Sequence, residues 1–382
     1  MRYKIKHLFL CLLVFLHCSS ANESLQVGAE RTAKYFPLLK DNAIGVVGNQ
    51  SSLIGATHLV DSLLSAKLQV VKVFSPEHGF RGTADAGAHI ESGIDEETGL
   101  PIISLYGKNK KPSPSQLEGI EVLVFDIQDV GARFYTYIST LHYVMEAATE
   151  NNIPLIVLDR PNPNGHYIDG PILDTAYRSF VGMHPIPIVH SMTIGEYAQM
   201  INGEKWLKDS VECDLTVIPM LGYNKQIPYD LPVKPSPNLP NAQAVNLYPS
   251  LCLFEGTNVS VGRGTDLPFQ HYGAPFLESD YSFVPKSWVG AKYPKHEGER
   301  CYGQDLSQFA TLSQLDLSFL IDAYNECLEK EDFFNAFFDK LAGGSTLRLS
   351  IIEGKSEEEI RQSWSEELLE FEQMRNTYLI YQ

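Results

Sequence analysis

Glu77 is the residue whose type and setting point most directly to chemistry. It follows an apolar, β-branched run and sits between Pro76 and His78-Gly79. A carboxyl group directly after a buried strand is partly desolvated, which raises its pKa and suits it to deliver a proton near neutral pH. The competing structural reading makes it a helix cap or an ion-pair partner of Arg81. Three more carboxylates, Asp126, Asp129 and Asp159, end or follow other apolar runs. Glycoside hydrolysis commonly uses two such groups, one as acid and one as nucleophile, base or stabiliser. Taken singly, each of the three is better explained as a partner orienting Arg133 or Arg160. The stretch Asp129–Tyr137 adds a glycine turn, a cation and the phenols of Tyr135 and Tyr137, rings that suit a sugar face and equally suit a core. Arg133, Arg160 and Arg263 are candidates for gripping a substrate carboxylate through a bidentate fork. Asn49 closes the first apolar run, and Asn238 lies in Lys234-Pro235-Ser236-Pro237-Asn238-Leu239-Pro240, which is too proline-rich for a helix or central strand and predicts a rigid loop. His78 pairs with a carboxylate or, by default, is a hydrogen-bonded structural histidine.

The elements that must position these groups follow from apolar patterning. Ala43–Val47, Leu68–Phe74, Val122–Phe125 with Ile127, and Pro154–Leu158 lack clean two-residue alternation, as expected of strands buried on both faces. Helix-like stretches, notably His58–Ala66 and Ser139–Asn151, lie between them, and a fifth run, Leu215–Met220, follows the helix-like Thr193–Asn202 with its Thr193/Glu196 capping-box spacing. This alternation predicts an α/β fold: a Rossmann-like, mostly parallel sheet domain over residues 22–265. Ligands in such sheets bind beyond the carboxyl ends of the strands, where the polar residues above fall. After Pro268 the texture changes to a Pro- and Tyr-rich stretch, then helical blocks Leu312–Ala342 and Ser356–Arg375 separated by Gly343-Gly344 and the short run Leu347–Ile352. A smaller C-terminal auxiliary α+β domain is placed at 266–382.

Composition bounds the function. The chain has 382 residues, 44% of them hydrophobic, with 30 Lys+Arg against 47 Asp+Glu and a net charge of −17. Such an acidic balance argues against sequence-independent nucleic-acid binding, which depends on neutralising phosphates. Arg2, Lys4 and Lys6 precede the apolar Leu8–Leu16, a leader pattern too short for the roughly 20 residues that span a bilayer. A signal peptide over residues 1–21 is expected, with a periplasmic or secreted mature chain; Cys18 as a lipidated terminus is the lesser alternative. Cys213, Cys252, Cys301 and Cys327 remain, either as buried thiols or with one disulfide. No G-x-x-x-x-G-K-[ST], G-x-S-x-G or H-E-x-x-H motif occurs, which lowers phosphate-loop, serine-esterase and zinc-protease readings. No metal and no cofactor is assigned.

Longer motifs carry a family resemblance. Gly48-Asn49-Gln50, Phe74–Gly82, Ser104-Leu105-Tyr106-Gly107, Asp126–Tyr137, Leu158–Pro163, Pro235–Asn238 and Phe254–Asn258 resemble, in order, the motifs of the NamZ-type or YbbC-like exo-β-N-acetylmuramidases, glycoside hydrolase family 171. The match runs from about residue 43 to the Tyr378–Tyr381 ending. The resemblance implies release of single N-acetylmuramic acid (MurNAc) residues from the non-reducing ends of peptidoglycan fragments during cell-wall turnover, with MurNAc-GlcNAc saccharides as partners. It implies Glu77 as the catalytic acid, assisted by Tyr135, and leaves open whether a protein group or the sugar's 2-acetamido group attacks the anomeric carbon. Substrate contacts are expected from Asn49, His78, Asp126, Asp129, Arg133, Tyr137, Asp159, Arg160, Asn238 and Arg263. Charge chemistry assigns the lactyl carboxylate to an arginine, Arg160 or Arg263. Two departures stand out: the segment between Ala274 and Gly303 is short for the family, and Gln270 stands where an acid is expected. The alternative function is a non-catalytic periplasmic protein that binds muropeptide sugars, which would need no proton donor at Glu77.

Overall fold

The structure is a computed structural model that describes residues 24–77, 79–81 and 92–382. The leader with Cys18, and His78, lie outside the described residues. Seven strands form the main sheet: Ile44–Gly48 (β1), Val70–Ser75 (β2), Gly93–Ile94 (β3), Pro101–Ser104 (β4), Val122–Asp126 (β5), Leu155–Leu158 (β6) and Leu215–Ile218 (β7). Their order is β3-β4-β2-β1-β5-β6-β7. Neighbours run parallel except at the edge, where β3 is antiparallel to β4. Every position of β1, β5 and β6 is buried, which accounts for their unbroken apolar character.

Side chains still alternate between two cores. Val122 and Val124 of β5 join one cluster with Tyr35, Leu39, Leu59 and Leu63 from the helices Thr32–Leu39 and Leu59–Ser65. Leu123 and Phe125 join the other, with Leu141 and Tyr197 from the helices Tyr137–Glu150 and Ile194–Gly203. The capping box forms as the spacing predicts: Thr193 Oγ1 accepts from the Glu196 amide at 3.2 Å, and the Glu196 carboxylate accepts from the Thr193 amide at 2.9 Å.

The second core continues without a break into the C-terminal part, through Phe254, Leu320, Trp364 and Phe371. There, His271–Ala274 (β8), Tyr281–Phe283 (β9) and Cys301–Asp305 (β10) make a small antiparallel sheet in the order β8-β10-β9. The block 312–342 is not one helix but Ser318–Glu326 and Phe338–Ala342, and Leu347–Ile352 falls within a helix, Thr346–Ile352. All four described cysteines are buried free thiols. Among the described residues no helix is long and apolar enough to cross a membrane.

One buried histidine ties the small sheet to pH. His271 Nδ1 lies 2.6 Å from the Tyr281 hydroxyl and Nε2 lies 3.0 Å from the Thr265 hydroxyl, with the ring stacked on Phe283. Burial pulls its pKa down to about 4. The unfolded chain takes up this proton below about 6.5, the folded one only near 4, so stability present above 6.5 is lost as pH falls through that window. The melting temperature of the wild type is expected to fall more steeply between pH 6.5 and 4 than that of His271→Gln, which starts lower at pH 7. Parallel melting curves would rule this histidine out as the cause.

Candidate active site

The strand order reverses between β1 and β5, the position at which open α/β sheets form a ligand crevice. At its floor Asn49 is fully buried and donates from Nδ2 to the Tyr137 hydroxyl at 2.9 Å, while its Oδ1 accepts from the Ser51 amide at 2.9 Å. Asn49 thus acts on the phenol above it and does not line the open cleft.

Several residues expected to touch substrate are placed elsewhere. Asp126, the last residue of β5, shares the face of Val122 and Val124, away from the helix Tyr137–Glu150. It accepts both Nε and Nη2 of Arg160, at 2.6 and 2.8 Å, and Arg160 also donates to the Leu53 carbonyl at 2.9 Å. Both side chains are buried, so this bidentate pair is a structural bolt and no carboxylate receptor. Asp159 is equally committed. Its oxygens accept from the Arg160 and Gly195 amides and from the Thr193 and Tyr381 hydroxyls, all within 3.0 Å. Arg133 is fully buried and donates to the carbonyls of Pro171, Ile186 and Leu341, clasping the C-terminal part to the sheet. Gln270 also turns inward, its Oε1 accepting from Asn241 at 2.9 Å.

The cleft itself is lined by Glu77, Phe134–Tyr137, Ser236, Asn238, Leu239, Tyr248, Arg263 and Phe269. Glu77 enters from the turn after β2, where the Gly79 amide closes on the Pro76 carbonyl at 3.3 Å. Tyr106, just past β4, hydrogen-bonds to Glu77, and burial together with that carboxylate pushes the Tyr106 phenol up to about 12. The Tyr137 phenol is raised in the same direction, by burial first and then by Glu77. Tyr135 stands edge-on to Tyr137 and Tyr248, with ring centroids 4.9 and 5.7 Å apart, and its hydroxyl donates to the Pro235 carbonyl at 2.8 Å. The same contact pins the proline-rich loop, which Gln50 also holds through the Lys234 and Pro235 carbonyls. Asn238, on that loop, donates to the Gly290 carbonyl at 2.8 Å.

Arg263 lines the cleft from the turn in which the Thr265 amide closes on the Gly262 carbonyl at 3.1 Å. Its Nε is held by Glu255 at 3.0 Å, and the guanidinium lies 5.0 Å above the Phe269 ring. A guanidinium fixed at the cleft in this way is the residue type suited to gripping a carboxylate. Asp129 sits behind the phenols. One oxygen accepts from the Gly131 amide at 2.7 Å, and the other is buried without a hydrogen-bond partner among the described residues. Burial pushes its pKa up to about 7. The structure therefore brings together Glu77, Tyr135, Tyr137, Asn238 and Arg263. It adds Tyr106, which reading for strand ends passes over because the short strand β4 begins with a proline, and Tyr248 and Phe269, which come from a helix and a loop and follow no strand. Among the described residues no group of three or more His, Cys, Asp or Glu is placed to hold a metal.

A Rossmann-like sheet whose strand-end cleft gathers a carboxyl, three phenols and an arginine defines a two-domain α/β enzyme with an acid-bearing pocket. The chain belongs to the exo-β-N-acetylmuramidase NamZ family: its N-terminal family model matches residues 44–243 and its C-terminal one residues 246–381. The models thus meet on the helix Ala242–Leu251, ahead of the texture change near residue 265. The chain is 42% identical to the peptidoglycan β-N-acetylmuramidase NamZ of Bacillus subtilis (strain 168), over 91% of this chain and 89% of that protein. Crystal structures of two DUF1343 family proteins from Bacteroides fragilis share the fold. One has TM-score 0.88 and 47% identity, the other 0.81 and 29%, each covering 94% of this chain and 99% of its own.

Proposed function

We propose that this protein is an exo-β-N-acetylmuramidase that releases MurNAc from the non-reducing ends of peptidoglycan fragments, with Glu77 protonating the departing glycosidic oxygen. The observation that carries this reading is that Glu77 and Arg263 line one and the same cleft. MurNAc differs from N-acetylglucosamine (GlcNAc) by a lactyl carboxylate, and a protein as acidic as this one attracts such an anion only through a local cation. Arg263 supplies it, pre-oriented by Glu255. Tyr106 and Tyr137 lie close enough to Glu77 to feel its carboxylate, and Asn49 holds the Tyr137 hydroxyl in place. Tyr135, Tyr137 and Tyr248 add phenols to the cleft lining.

Hydrolysis of a chromogenic β-MurNAc glycoside by the purified protein tests the activity; sugar binding without release of the aglycone would make it a binding protein instead. Replacing Arg263 by Met is expected to raise KM for MurNAc glycosides about 10- to 100-fold, the scale of a lost charge-assisted pair. The same change should leave the much poorer turnover of the matching GlcNAc glycoside nearly as it was. An equal loss on both sugars would remove Arg263 from lactyl recognition.

A further inference from the structure

The segment 286–294 is tied to the cleft lining at two points. The Lys286 amide donates to the Gly264 carbonyl at 2.9 Å, next to Arg263, and the Gly290 carbonyl accepts from Asn238. Trp288 and Ala291 exchange backbone hydrogen bonds of 3.1 and 2.9 Å, closing a tight turn whose Gly290 has φ +82°. The fit is close: a Cβ on Gly290 would lie 2.6 Å from Pro237 Cβ, and one on Gly264 would lie 2.3 Å from the Lys286 carbonyl oxygen. On this fixed turn Trp288 is 60% and Tyr293 82% exposed. Among the described residues the only other exposed large aromatic is Phe337. The remaining tryptophans, Trp206 and Trp364, are packed against the core. Two aromatics held outward on a rigid turn at the cleft rim have no packing role, and exposed apolar groups beside a groove mark a binding surface.

We propose that Trp288 and Tyr293 form a second saccharide subsite, a stacking platform for the pyranose ring on the leaving-group side of the scissile bond. This rests on the glycosidase reading above. The terminal sugar fills the narrow cleft, so the rest of the chain must leave over the rim. A hexosamine ring offers an apolar C–H face to an aromatic plane while its hydroxyls stay in water, so one exposed ring per sugar suffices. Docking of a protein or a membrane would call for a broad continuous apolar surface, whereas here the exposed apolar groups are confined to Trp288, Val289 and Tyr293 around Gly290 and Lys292, whose Nζ lies 5.5 Å from the Tyr293 ring centroid.

The test compares two substrates of the intact protein: MurNAc β-fluoride, whose leaving atom occupies no second subsite, and the disaccharide MurNAc-β-GlcNAc. Trp288→Ala with Tyr293→Ala is expected to lower kcat/KM on the disaccharide about tenfold or more, the scale of a lost aromatic anchor, and to leave the fluoride within about twofold of wild type. Tryptophan fluorescence should shift when the disaccharide is added to Glu77→Gln protein and stay unchanged once Trp288 is replaced. Equal rates on the disaccharide for wild type and double variant overturn the subsite, and so does an equal fall on both substrates, which would mark the turn as a brace for the cleft. Wild-type protein that cleaves neither substrate would instead sink the glycosidase reading.

Discussion

Glu77→Gln is expected to slow cleavage of a MurNAc disaccharide about 100- to 10,000-fold, the range attributable to a positioned general acid. It is expected to leave hydrolysis of a dinitrophenyl β-MurNAc glycoside far less affected. The difference follows from what the proton does. A sugar alkoxide is a poor leaving group and needs protonation as the bond breaks, whereas dinitrophenolate departs unaided. Glutamine keeps the shape of the side chain and its contact with Tyr106, so far-ultraviolet circular dichroism and melting temperature should match the wild type. Comparable losses on both substrates would mean that Glu77 does something other than donate a proton, and near-normal rates on the disaccharide would remove it from the mechanism altogether.

Arg160→Met is expected to behave in the opposite way, as a stability mutant with little kinetic signature. It would leave Asp126 charged, fully buried and without its bidentate partner, and breaking such a pair from one side costs about 3–5 kcal/mol. Chemical denaturation should show a midpoint well below wild type, while kcat/KM per folded molecule stays within a few-fold. Replacing both members together, Asp126→Leu with Arg160→Met, should restore much of the loss, because an apolar pair of similar volume needs no compensation. If Arg160→Met instead raised KM for MurNAc substrates and left the denaturation midpoint in place, Arg160 would be the lactyl receptor and the burial argument would be wrong.

These two outcomes mark how far the sequence could be read. The strands β1, β5 and β6 announce themselves because both faces are covered, and a doubly buried strand is apolar nearly throughout; β2 and β7 do so through apolar, β-branched runs that leave Lys72 half-buried and Thr216 exposed. The same burial hid the direction of each strand's last residue. Asp126 and Glu77 look alike in sequence, both carboxylates at the carboxyl end of an apolar run, yet one lies on the far side of the sheet and the other in the cleft. Counting in twos from Val122 and Val124 would have placed Asp126 on their face. No such count finds the partners of Arg133, three backbone carbonyls far apart in the chain, one of them Leu341. Arg263 is legible as a cation, and its flanking Gly262 and Gly264 both take positive φ in the turn that presents it. Tyr106 is legible only as part of a motif, since β4 does not read as a strand, and the C-terminal helices are shorter than their composition suggests, since that region packs on the sheet's own core and needs no long helices to cover itself.

The Asp159–Tyr381 contact has a consequence for when the protein can fold. The end of β6 and the start of the helix Ile194–Gly203 are held by the last residues of the chain: Tyr381 donates its hydroxyl to Asp159, and the Ile380 and Tyr381 amides donate to Glu196. Until residues 380 and 381 have been made, Asp159 is without the Tyr381 hydroxyl and Glu196 without two backbone amides, and the face of the sheet that the C-terminal half covers stays bare. The sheet domain therefore reaches its final state only after partners 222 positions apart in the chain have met, which makes its completion a late, long-range event in folding.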